Sequence, residues 1–161
     1  MIVNTLIVIG SVLFMEGFAW WVHRYIMHGP GWGWHVSHHV THDNMLEKND
    51  LYAVVFSVIA CGLFLIGGAF WQPLWFIALG FTIYGVLYGF VHDGLVHQRW
   101  PLEYFPKSRY LKRLVQAHKL HHAVQTKDGA VSFGFILPPE PKRLKAMLKQ
   151  IKMERQEGLD P

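Results

Sequence analysis

Long apolar runs separated by short polar breaks dominate the first half of the chain. Three runs are long enough to cross a bilayer: about Ile2 to Val22 (2–22), Leu51 to Phe70 (51–70) and Leu74 to Val91 (74–91). A membrane helix needs roughly 20 apolar residues, because each adds about 1.5 Å toward some 30 Å of hydrocarbon. The third run is slightly short, and Asp93 to Val96 can continue it into the interface. Trp71-Gln72-Pro73 parts the second and third runs, and so tight a break predicts an antiparallel helical hairpin. Past residue 141 the pattern changes, and Leu144, Leu148 and Ile151 recur at helical spacing among Lys and Arg. That pattern predicts an amphipathic surface helix over about 142–156. The expected fold is all-α. It is a single integral-membrane helical bundle over residues 1–161, with about three spanning helices and further cytoplasmic or interfacial helices.

Charge sharpens this picture. Charged residues are 16% of the 161, against about 25% in an ordinary soluble domain. The net charge is +4, but the basic residues lie in loops and a tail beside the apolar runs, which disfavours a nucleic-acid partner. Arg24, Lys48 and Arg99 come first, and the other basic residues all lie from Lys107 onward. None falls in the N-terminal stub or the Trp71–Pro73 turn. The positive-inside rule then sets the N-terminus outside and the basic loops and tail in the cytoplasm, against anionic headgroups. Trp71 and Trp75 would mark the outer interface, and Trp20, Trp21, Trp32, Trp34 and Trp100 the inner one. The first run has no basic stretch before it and no small-residue cleavage site after it, so it reads as a retained helix. The single cysteine, Cys61, lies in an apolar run and excludes an internal disulfide or a thiolate cluster.

Eleven histidines stand out against that background. All fall on the predicted cytoplasmic side or at the inner end of a run. His23 and His28 form H-x4-H where the first run ends, and His35, His38 and His39 form H-x2-H-H just after. His92 and His97 repeat the first pattern at the end of the third run, and His118, His121 and His122 repeat the second. Residues three and four apart share a helix face, so H-x2-H-H is expected to aim three imidazoles at one point. H-x4-H sets its rings about 140° apart on an ideal helix. Those rings converge if the helix is distorted, as Gly29-Pro30 and Gly94 would allow, or else they face different metals. Ten imidazoles exceed the capacity of one ion, and two ions with four or five nitrogens each would use them all. His42 is left over as an outer or surface residue.

Acidic and amide residues nearby are candidate supports. Glu16 lies inside the first run, two turns before His23, and either orients a histidine or packs as a protonated acid. Asp93 adjoins His92, while Asp43, Glu47, Asn49 and Asp50 follow the first H-x2-H-H. For each of these, an outer hydrogen bond to a ligand and a solvated loop charge are both open. An all-histidine site at a membrane surface fits an apolar substrate arriving from the bilayer. Hydrolytic zinc sites keep fewer protein ligands, so so many nitrogens favour a redox pair.

The residues between the histidines narrow the reading. They are His23-Arg24-Tyr25-Ile26-Met27-His28-Gly29, Gly31-Trp32-Gly33-Trp34-His35 with Ser37-His38-His39, and Glu47-Lys48-Asn49-Asp50-Leu51-Tyr52. To these are added His92-Asp93-Gly94-Leu95-Val96-His97-Gln98-Arg99-Trp100-Pro101, Ala117-His118 with Leu120-His121-His122-Ala123, and Val131-Ser132-Phe133-Gly134-Phe135. Together they resemble the bacterial β-carotene hydroxylases, within the wider membrane fatty-acid hydroxylase superfamily. The resemblance covers most of the chain and fades after Pro141.

That resemblance implies a di-iron monooxygenase of the bacterial inner membrane, with a periplasmic N-terminus and the histidines and C-terminus in the cytoplasm. It implies two iron ions held by His23, His28, His35, His38, His39, His92, His97, His118, His121 and His122, with zinc as the ion that would substitute after overexpression. The implied reaction hydroxylates C3 of β-ionone rings, taking β-carotene through β-cryptoxanthin to zeaxanthin. Related members carry ketolated carotenoids such as canthaxanthin toward astaxanthin. Dioxygen is the oxidant and a ferredoxin-type protein the electron donor. Trp20, Tyr84, Tyr88, Phe90, Leu95 and Phe133 are candidate walls of the substrate path. Lys107, Arg109, Lys112 and Arg113 are candidates for docking the donor, or else contact lipid headgroups. A fatty-acid or sterol hydroxylase or desaturase of the same superfamily is the alternative. A haem electron carrier would leave the repeated H-x2-H-H without a role, and a metal transporter would want more ionisable groups in the spans than Glu16.

Overall fold

The computed structural model describes residues 1–40, 46–101 and 104–158. His42 and Asp43 fall outside them. Among the described residues the structure is helical, without a strand. Helix α1 (Ile2–Trp21) runs directly into a π-helical segment, Val22–Met27. A short helix α2 (Trp32–His39) follows, then α3 (Asp50–Ala69). Helix α4 (Gln72–Tyr88) runs into a second π-helical segment, Gly89–Val96, and α5 (Arg109–His121) and α6 (Pro141–Gln156) complete the chain.

Among the described residues three helices are long and apolar enough to cross a membrane: Ile2–Met27, Asp50–Ala69 and Gln72–Val96. The third begins two residues before its expected start at Leu74. Pro73 sits in the first turn of α4, where its missing N–H leaves no helical bond unmade. The break between α3 and α4 is therefore only Phe70 and Trp71.

Helix α4 lies between α1 and α3 and packs on both. Small residues permit the close approach. A Cβ added at Gly80 would come 2.8 Å from the Val8 carbonyl oxygen, and one at Gly67 would run into the backbone of Leu74 and Trp75. The outward faces stay apolar and uncovered, as expected where lipid is the solvent.

At the other end of the bundle the packing thickens. Val96, Leu114 and Phe135 form one buried cluster, against which Tyr88 and Val91 rest. Ala117, Val131 and Leu144 form a second, with Leu120, Leu148 and Ile151 packed on it. The predicted C-terminal helix is present as α6. Its apolar stripe, however, is spent on α5 and the 131–137 segment, since Leu144 is only 1% exposed. Helix α5 starts at Ser108, whose hydroxyl accepts from the Leu111 N–H at 3.2 Å.

Candidate metal centre

All ten motif histidines meet in one layer at the end of the bundle where α1 and α4 finish and α3 begins. Their Nε2 atoms face inward and form two groups. His23, His28, His35, His39 and His121 make the first, and His38, His92, His97 and His118 the second; within each group the ring nitrogens lie within 4.8 Å of one another. His122 lies at the seam. Its Nε2 is 2.8 Å from that of His118, and its ring packs on His38, His97 and His39.

The H-x4-H spacing is accommodated by the π-helical segments. The His28 N–H donates to the His23 carbonyl at 3.0 Å, and the His97 N–H to the His92 carbonyl at 2.9 Å. Each such five-residue bond widens the turn until residues five apart stand over one another. The expectation of distortion near Gly29-Pro30 and Gly94 thus takes the form of a widened helix.

The H-x2-H-H expectation is corrected. Only the outer pair of each triplet converges: His35 and His39 enter the first group, and His118 enters the second with His122 beside it. The middle histidine crosses over. His38, from the first triplet, joins the second group, with its Nε2 3.0 Å from that of His92. His121, from the second triplet, joins the first, 3.2 Å from both His28 and His39. On a helix, residues four apart diverge by about 40° while neighbours diverge by about 100°. His39 therefore follows His35, and His38 turns away. The two matched sequence sets are exchanged by one residue each.

The protonation state follows from the outer side of the rings. His23, His28, His39 and His121 donate Nδ1–H to the carbonyls of Phe133, Lys127, Val124 and Val131, at 3.1, 2.8, 2.9 and 3.0 Å. A carbonyl only accepts, so each Nδ1 carries the proton and each neutral Nε2 presents a lone pair. Burial holds the rings neutral. It depresses His35 to about 3, His39 to about 4, and His97 to about 3, where His92 adds to the effect. His122 is depressed to about 2 by burial and by His97, and burial pushes His38, His118 and His121 well below the ordinary range. Where Nδ1 is fixed as the donor, the facing Nε2 lone pairs 3.0–3.2 Å apart repel unless a cation lies between them. With metal–nitrogen bonds of about 2.1 Å, adjacent corners of an octahedron are about 3.0 Å apart. The donor set and its spacing thus fit metal ions.

The supporting candidates divide. Asn49 accepts from His35 Nδ1 at 2.7 Å and Asp93 from His92 Nδ1 at 2.7 Å. Asp50 meets no histidine ring among the described residues; it takes both terminal nitrogens of Arg99, at 2.9 and 2.8 Å. Glu16 is neither beside a histidine nor a packing acid without partners. Its Oε1 accepts the N–H groups of Phe135, Ile136 and Leu137 at 2.9, 2.7 and 3.2 Å, and its Oε2 accepts the Tyr84 hydroxyl at 2.9 Å. It thereby ties to α1 the segment that carries the Val131 and Phe133 carbonyls. The sequence places Glu47 near the site without naming its partner; its side chain is 4% exposed and accepts from His38 Nδ1 at 3.1 Å.

The aromatic candidates divide as well. Phe133 meets the rings of His23, His28 and His121, and Tyr88 stacks on His92 at 4.5 Å. Tyr84 is engaged by Glu16. Trp20 lies at the surface near Tyr25 and Arg24, and Leu95 is half-buried. Phe90 is 58% exposed and packs edge-on to Trp100, away from the histidines. Two residues outside the expected walls touch the layer: Trp32, against His28 and His39, and Phe135, against Tyr88 and His92. Both lie in the segments that carry the family resemblance, which was the available signal.

A helical bundle of membrane-spanning length ending in a two-pocket histidine layer has the build of a membrane metalloprotein. The fatty acid hydroxylase family matches residues 8–139, and the chain belongs to that family. Among relatives, the chain is 60% identical over 146 residues to the beta-carotene hydroxylase of Paracoccus sp. (strain PC1), covering 90% of each chain. It is 52% identical over 147 residues to the beta-carotene hydroxylase of Pantoea ananas, covering 91% of this chain and 84% of that one. It is 38% identical over 136 residues to the chloroplastic beta-carotene 3-hydroxylase 2 of Arabidopsis thaliana, covering 82% of this chain and 44% of the plant protein. No solved structure matches.

Proposed function

We propose that this chain is a β-carotene 3-hydroxylase of a bacterial inner membrane, with the histidine layer and C-terminus cytoplasmic and the N-terminus periplasmic. The observation that carries the chemistry is the pair of pockets lined by unprotonated Nε2 atoms at one end of an apolar bundle. The substrate comes from the relatives, which are named for β-carotene and match almost end to end. They favour a carotenoid over a fatty acid or sterol.

The pockets suit two iron ions, held by the ten histidines, with His122 serving at the seam. When bound, such an iron pair activates dioxygen to hydroxylate an unactivated C–H bond, which side chains alone cannot do. The chain's own residues bind, orient and shield. The carbonyls of Phe133, Lys127, Val124 and Val131 keep each Nδ1 proton in place, so Nε2 stays free to ligate. Phe133 and Tyr88, both partly exposed beside the histidines, are apolar side chains on which a β-ionone ring would rest with C3 toward the layer and water excluded. The polyene would extend into the bilayer among the exposed apolar side chains. Lys107, Arg109, Lys112 and Lys119 are exposed on or beside α5, while His118 and His121 of the same helix are buried. An acidic ferredoxin-type donor docking on that basic face would stand one helix width from the histidines.

The test is product analysis after expression in a β-carotene-accumulating bacterium. The wild-type chain should yield β-cryptoxanthin and zeaxanthin, and His38→Ala and His121→Ala should leave β-carotene unconverted. Altered fatty acids with unaltered carotenoids would refute the carotenoid reading.

A further inference from the structure

The two pockets differ on the outer side of their histidines. In the first, among the described residues, every Nδ1 partner is a neutral oxygen: four main-chain carbonyls and the Asn49 amide. In the second, two partners are carboxylates, Glu47 at His38 and Asp93 at His92. Arg99 stands beside both, 3.2 Å from Glu47 and 3.5 Å from Asp93. A carboxylate draws the Nδ1 proton toward itself, which makes Nε2 a more basic donor, and it sets negative charge just behind the ring. A carbonyl does less of each.

We propose that Glu47 and Asp93 make the His38–His92–His97–His118 pocket the stronger cation site, filled before the carbonyl-backed pocket. This rests on the metal-binding reading above and adds an order to it. Glu47 and Asp93 are positioning residues, acting through His38 and His92. The difference is built by local sequence: Glu47 and Asn49 lie two residues apart just before α3, yet they support histidines of different pockets.

The test uses the full chain in detergent, stripped of metal by a chelator and titrated anaerobically with isotopically enriched ferrous iron. Mössbauer spectra follow the filling. The first equivalent should give one quadrupole doublet and the second should add another. Glu47→Gln keeps the shape of the side chain and removes its charge. It should weaken the first step by about 10–100-fold, the range for outer partners of metal-bound histidines, and alter only the first doublet. Asp93→Asn should do the same. Asn49→Asp adds a charge behind His35 and should strengthen the second step, a gain that misfolding cannot mimic. Two doublets growing together from the first addition would overturn the order, as would a Glu47→Gln protein with both steps unchanged. A wild-type chain that binds no iron would remove the metal reading itself, an outcome distinct from equal filling.

Discussion

Along α3, Val54, Val58 and Leu65 are 55%, 67% and 75% exposed, whereas the carboxyl side chain of Glu47, just before the same helix begins, is buried and bonded to a histidine. One end of the bundle faces outward with apolar side chains and touches its neighbours through close approach at Gly67 and Gly80 and through aromatic pairs such as Phe14–Phe81 and Phe64–Trp75. The other end turns polar side chains inward and joins residues as far apart in sequence as Glu16 and Leu137. Lipid is as apolar as leucine, so apolar side chains do little to hold membrane helices together. The spanning half relies on close backbone approach. The histidine layer relies on polar bonds made where water is scarce, each of which costs much to break.

Substitutions should therefore act very differently in the two regions. The largest effect is expected from His121→Ala, which removes the one ligand that the second sequence repeat lends to the first pocket. Zeaxanthin formation should fall by more than about 100-fold, beyond the loss seen when only an outer partner is removed, while the protein still inserts in the membrane. Metal analysis of the purified variant should show the deficit directly.

Acid should come next. His35, His39, His97 and His122 are held near 3, 4, 3 and 2 in the folded protein, against about 6.5 when unfolded. The unfolded chain therefore takes up protons first as pH falls. This contribution is intact above about pH 6.5 and is lost progressively toward pH 4, at up to about 1.4 kcal/mol per pH unit for each histidine. Thermal unfolding of the metal-free protein at several pH values should show a steep decline beginning near 6.5.

Removing the Glu16 clamp should be milder. Glu16→Ala leaves three consecutive N–H groups and a tyrosine hydroxyl without their acceptor, a loss on the order of 2–4 kcal/mol. Glu16→Gln, which keeps one accepting oxygen, should recover part of it in the same unfolding assay. In the spanning half, Gly67→Leu should cost about 1–3 kcal/mol by forcing α3 off α4. Val58→Ala on the exposed face should change stability by less than about 0.5 kcal/mol.

The same contrast governs what could be read from the sequence. The spans are legible because twenty apolar residues in a row have one physical use. The gathering of the histidines is legible because they fall at the inner ends of those spans. The exchange of His38 and His121 is legible only in part: helix angles turn each away from the pair four apart that flanks it, but the approach of the other repeat decides which pocket it enters. The π-helical segments left a trace in the five-residue spacing of His23–His28 and His92–His97, which an ideal helix cannot satisfy. The carbonyls of Val124, Lys127, Val131 and Phe133 left none, because a backbone oxygen has no residue identity. Glu16 was conspicuous as a carboxyl inside a span, yet its partners are backbone amides some 120 residues away.

The most direct test of the crossed two-pocket centre is an anomalous-scattering map, at the iron edge, of the iron-loaded protein. Two peaks are expected, one among His23, His28, His35, His39 and His121, the other among His38, His92, His97 and His118. A single peak, or one ion shared by His35, His38 and His39, would contradict the account.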